Sequence, residues 1–163
     1  MENVRFWETV TCVIIEKHKR KQGKKMKILA FDTSSTALSV ALLEDEKLVA
    51  ESTVTVKKNH SISLMPTIDF LVAQAGWQPS DLERIVVAQG PGSYTGLRVA
   101  VATAKTLAYA STLDLVGVSS LQGLTDLTVD GVVIPIMDAV VIMFTLVFMK
   151  MVRLSSQIAM QLL

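Results

Sequence analysis

The stretch from Arg84 to Arg98, RIVVAQGPGSYTGLR, constrains this chain more than any other. An apolar run of strand type ends in a glycine-proline-glycine turn and leads straight into a helix. Such a turn puts a pliable loop and a helix N-terminus at the end of a strand, where backbone N–H groups can hold an anion. The plainer reading of Gly90, Pro91 and Gly92 is a tight strand-to-helix connection with no ligand.

The elements around this unit have a definite order. KILAFD, residues 27 to 32, reads as a buried strand ending on an acid. After the hydroxyl-rich turn Thr33, Ser34 and Ser35, an alternating second strand follows, then a charged hairpin turn at Glu44 to Lys47 and a third strand. Leu64, Ile68, Leu71 and Val72 recur at helical spacing within residues 61–75, with Pro66 near the front. A second helix over residues 95–111 places Leu97, Val101, Ala104 and Ala108 on one side. DLVGV then reads as a strand, SSLQGLTDL as a helix capped by Ser119 or Ser120, and VVIPIMDA, residues 132–139, as a last buried strand. Three antiparallel strands followed by parallel βα units predict an α/β fold, one lobe of a ribonuclease-H-like or actin-like architecture.

With 163 residues, half of them apolar, the chain suits one domain with a real core. Charge is unevenly spread: residues 1–25 carry seven Lys/Arg against three Glu, whereas the remainder is mildly acidic and a poor nucleic-acid surface by itself. The cluster KHKRKQGKK ends just before Met26, where the first strand begins. Residues 1–25 are accordingly expected to be a basic, disordered extension, with Met26 as the natural start and residues 26–139 as the lobe. Cys12 is the single cysteine, so an intrachain disulfide is excluded and a reducing, cytoplasmic setting fits. The apolar run from Ala139 to Met149 spans about 16 Å as a helix, short of the roughly 30 Å hydrocarbon core, which argues against a membrane span. Residues 140–163 lose the patterning of the rest and read as an atypical hydrophobic tail. A contact helix for a membrane or partner, or an altered reading frame, would each look this way.

Four segments together resemble one family: MKILAFDTSS (residues 26–35), NHSISLMPTIDFLV (59–72), VVAQGPGSYTGLRVAVATAKTLAYA (86–110) and GVSSLQGL (117–124). They are similar to the TsaB (YeaZ) family, bacterial partners of the tRNA threonylcarbamoyladenosine-forming enzyme TsaD. The resemblance runs from Met26 to about Ala139 and implies a two-lobed actin-like fold of which the second lobe is largely missing here. It implies a cytoplasmic complex that modifies the adenosine beside the anticodon, with TsaD carrying the chemistry, a TsaE-type ATPase as a further partner, and tRNA met only indirectly. It also implies self-association through the helices at residues 61–75 and 95–111.

The expected interface is Leu64, Ile68, Leu71, Val101, Ala104 and Ala108, whose small members permit close helix approach; the competing reading turns them onto their own sheet. On the interface reading, Ala104→Arg weakens association and leaves the monomer folded. Asp32, Thr33 and Ser34 lie where actin-like ATPases grip phosphate and magnesium. Together with Gly90, Gly92 and Ser93 they are expected to form a vestigial anion site, with no cofactor. TsaD-type enzymes hold metal with two histidines four residues apart; here His60 is followed at that spacing by Leu64, so no metal site is expected. Neither Ser93 nor Cys12 has an identifiable histidine and carboxylate partner, and no HExxH pair occurs, so no catalytic residue is assigned. The alternative is a stand-alone metal- or nucleotide-dependent transferase or a glycoprotease-like hydrolase.

Overall fold

Strand β1, Lys27–Asp32, is buried from Ile28 through Phe31, because it runs through the middle of a five-stranded sheet and is covered on both faces. The computed structural model describes residues 25–45, 47–55, 60–124, 132–138, 144–146, 149–154 and 157–162. Strands β2, Ala37–Glu44, and β3, Lys47–Thr55, extend β1 as an antiparallel meander, joined across Glu44 and Lys47 as the charged turn predicts. Asp45 sits in this turn at φ 55°, and its carboxylate accepts the Met26 N–H at 2.9 Å. Strands β4, Arg84–Ala88, and β5, Asp114–Val118, add in parallel on the other side, giving the order β3-β2-β1-β4-β5. Each parallel step is bridged by a helix, as parallel pairing demands. This is the actin-like lobe expected from the order of elements.

Helices α1, His60–Gln74, and α2, Tyr94–Ser111, share one face of the sheet, α1 over β2 and β3, α2 over β4 and β5. Leu64, Ile68, Leu71 and Val72 of α1 meet Leu29, Phe31, Leu38, Val40 and Leu42. Gly96, Ala100, Ala104 and Ala108 form the buried stripe of α2, so its backbone lies close to Ile85 and Val87. The opposite face carries a second apolar cluster of Ile28, Ala30, Ala41, Leu43, Val86, Val116 and Val118.

Beyond β5 the expectations change in detail. Helix α3 is only Ser120–Gly123 among the described residues, with Ser119 as its N-cap accepting the Gln122 N–H at 3.4 Å. The single strand expected over residues 132–139 is instead two, β6, Val132–Val133, and β7, Ile136–Asp138, because Pro135 lacks the N–H a ladder needs. Neither joins the main sheet: β7 pairs with β8, Phe144–Leu146, and β6 with β9, Met149–Leu154, which pairs in turn with β10, Gln157–Leu162. The tail is thus stranded where described and not a contact helix, in keeping with its Val, Ile, Phe and Thr content. Residues 1–24, with Cys12 and His18, lie outside the described residues, as does Ala139. Among the described residues no helix is long and apolar enough to cross a membrane.

Candidate functional site

The six residues expected at the anion site do converge, at the C-terminal ends of β1 and β4. Asp32 ends β1, and its carboxylate accepts both the Ser34 N–H at 2.7 Å and the Ser34 hydroxyl at 2.9 Å. The Thr33 hydroxyl donates to the Gly96 carbonyl at 2.7 Å, within the first turns of α2. The Ser93 N–H donates to the Ser34 carbonyl at 2.7 Å, while the Ser93 hydroxyl caps α2 by accepting the Gly96 N–H at 3.4 Å. On the far side of the loop the Gly90 carbonyl accepts the Ser120 N–H at 2.8 Å.

Two glycines are required here by space. A Cβ on Gly92 would stand 2.5 Å from the Ser34 carbonyl oxygen, and one on Gly96 would run into the Thr33 carbonyl oxygen. The loop and helix start therefore lie against the β1–β2 turn with no room for a side chain. Three of the donors that the sequence offers to an anion, the Thr33 and Ser34 hydroxyls and the Ser93 N–H, are bound to protein acceptors. The arrangement works as a clamp joining the hairpin of β1 and β2 to α2.

Burial pushes the Asp32 carboxyl above its ordinary value, and the Ser34 and Thr33 hydrogen bonds and the nearby His60 charge offset part of that rise. A carboxyl raised on folding binds more protons in the native than in the unfolded state over the interval between the two values, so its contribution to stability falls as pH rises. Unfolding curves of the parent chain and Asp32→Asn, taken from pH 3 upward, should give a stability difference that declines just above the ordinary carboxylate range and is flat at neutral pH. A difference that grows with pH would place this carboxyl below its ordinary value.

His60 opens α1 with its Nδ1 buried and unpartnered, and Leu64, four residues on, is core. Among the described residues no group of three or more His, Cys, Asp or Glu is placed to hold a metal.

The interface residues need correction. Leu64, Ile68, Leu71, Ala104 and Ala108 are buried against their own sheet, and of the six only the half-buried Val101 leaves surface for a partner. The small residues do admit a close neighbour, but that neighbour is the sheet. What α1 leaves outside is a different apolar set, Ile62 (69% exposed), Met65 (37%) and Phe70 (60%), on the side of the helix away from the core. Tyr94 and Tyr109 are exposed on α2, with the Arg98 guanidinium 5.4 Å from the centre of the Tyr94 ring. The sequence carried a signal for the missed residues: α1 holds apolar side chains around more of its circumference than one buried face needs.

Comparison with known proteins places this arrangement. Residues 47–158 match the family model "TsaD: tRNA N6-adenosine threonylcarbamoyltransferase". The structure of YeaZ from Pseudomonas aeruginosa superposes with a TM-score of 0.69 at 25% identity, over 85% of this chain and 67% of that one. The Bacillus subtilis tRNA threonylcarbamoyladenosine biosynthesis protein TsaB is 46% identical over 116 residues, 70% of this chain and 51% of that protein. A tRNA N6-adenosine threonylcarbamoyltransferase of Anaeromyxobacter is 32% identical over 114 residues, 60% of this chain and 34% of that protein. The chain spans about half the length of the curated TsaB relatives it matches. With the family match covering more than half of its residues and TsaB proteins foremost among these relatives, the chain belongs to the TsaB (YeaZ) family.

Proposed function

We propose that this chain is a non-catalytic pairing subunit that binds a TsaD-type enzyme in the threonylcarbamoyl modification of the tRNA adenosine next to the anticodon. A TsaE-type ATPase joins the same cytoplasmic complex, and tRNA is contacted only indirectly. The observation that carries this reading is the exposed apolar face of α1, Ile62, Met65 and Phe70, a surface that a lone soluble domain gains nothing by leaving in water. Support for a structural role of the glycine loop comes from the Ser93 N–H and the neighbouring Thr33 and Ser34 hydroxyls, which are bound to acceptors inside the fold. The same face of α1, beside α2, serves self-association, so a second copy and the enzyme compete for it.

Co-purification with a TsaD-type protein at moderate salt, followed by light scattering, tests the pairing. A one-to-one complex is expected for the parent chain. Phe70→Glu, exposed and outside the core, should weaken the complex at least tenfold, on the order expected for a charge set in an apolar contact, with no change in thermal unfolding. Retention of full affinity in Phe70→Glu would remove this face from the interface. ATP turnover or tightly bound metal in the purified protein would instead favour the stand-alone transferase or hydrolase.

A further inference from the structure

Something other than α1 and α2 covers the second face of the main sheet. Ala30 of β1, Ala41 of β2, Val86 of β4 and Val116 of β5 all lie on that face, and none is more than 6% exposed. Both helices sit on the opposite face. At β5 the contrast is sharpest: Leu115, on the α2 side by alternation, is exposed, whereas Val116 and Val118 are buried. Four strands are about 14 Å across, and α3, four residues long, amounts to only about 6 Å of helix. Beyond it Leu124, Ile134 and Ile136 are exposed, so they do not close the face either.

We infer that residues 4–16 of this same chain cover that face as an amphipathic helix. The chain reaches the sheet from this side: Met26, Ile28 and Ala30 alternate onto one face, and Met26 packs against the second apolar cluster. Just before it, Lys25 Nζ is held 2.8 Å from Glu44 Oε2, which ties the end of the basic cluster to the acidic turn after β2. The residues that precede Lys25 therefore start at the rim of the face, with no part of the sheet to go around. In VRFWETVTCVIIE, residues 4–16, Phe6, Trp7, Val10, Val13 and Ile14 recur at the spacing that puts them on one side of a helix, while Arg5, Glu8, Cys12 and Glu16 fall on the other. A helix over these residues is about 20 Å long, enough to cross the four strands, and residues 17–25 leave ample chain to turn back. The extension then belongs to the core of the lobe, in place of the separate leader that its charge suggests, and its apolar stripe meets a surface that is itself apolar.

Cys12, the single cysteine and opposite the stripe, can carry a nitroxide label without entering the proposed contact. In dilute full-length protein the label should broaden the methyl signals of Ala30, Val86 and Val116 about fivefold more than those of Leu38, Leu64 and Ala104, because packed layers lie about 10 Å apart and the sheet stands between. Labelled chain mixed with unlabelled, isotope-enriched chain should give no such broadening. Val10→Lys, in the stripe, should remove the broadening and lower the thermal midpoint by about 5 °C or more, whereas Glu8→Lys, on the far side, should leave both unchanged. If Val10→Lys fails to fold, the labelled parent chain decides by itself. Second-face signals no broader than the others, broadening that arises only between chains, or a Val10→Lys chain that keeps both the broadening and the midpoint would overturn the inference.

Discussion

Gly96→Ala lowers the stability of this protein by about 3 kcal/mol, a fall in midpoint of roughly 10 °C for a domain of this size. The sign is informative, because at an open position in a helix alanine is better than glycine by about 1 kcal/mol. Gly96 lies in the first turn of α2, and a Cβ there meets the Thr33 carbonyl oxygen, a backbone atom that no rotamer change can move aside. Relief requires α2 to withdraw from the β1–β2 turn, which also stretches the bond from the Thr33 hydroxyl to the Gly96 carbonyl and that from the Ser93 N–H to the Ser34 carbonyl. Thermal or urea unfolding of purified Gly96→Ala against the parent checks this. A stability equal to or above that of the parent would mean that the clamp has slack.

Ala104→Arg should not yield a folded monomer. On the sequence reading this substitution broke an interface. In the structure Ala104 is fully buried midway along the stripe of α2 that rests on the sheet, and a guanidinium there has neither space nor a partner. The expected loss is above about 4 kcal/mol, a large share of the 5–15 kcal/mol that holds a domain together. Circular dichroism and proteolysis of Ala104→Arg beside Phe70→Glu separate the two sides of the helix pair. The first should be unfolded or aggregated, and the second folded but poor in association. A well-folded Ala104→Arg would contradict the packing of α2.

The contrast between these variants marks what was legible. Periodicity located α1 and α2 to within a residue at either end and identified their apolar stripes, because 3.6-residue spacing depends on the chain alone. It could not say what each stripe faces, since a partner helix and the protein's own sheet both ask for apolar or small residues. The glycine loop shows the same division. Glycines where a strand meets a helix announce a close approach of something to the backbone, yet an anion and a neighbouring turn make the same demand. Only the fold shows that Thr33 and Ser34 lie against Gly96 and Gly92.

By itself the sequence determined the succession of elements, the continuous apolar runs that mark β1 and β4 as interior strands, the charged hairpin turn, and the motifs that place the chain in its family. These are local properties, set by residue spacing and by which residues tolerate a turn. The tertiary structure alone decided which apolar residues stay outside, that the hydroxyls beside Asp32 are spent on internal bonds, and that the tail pairs as strands and leaves β10 at an edge. Each of those depends on contacts between segments far apart in the chain, where the same residue type serves either outcome and only the partner brought to it by the fold makes the choice.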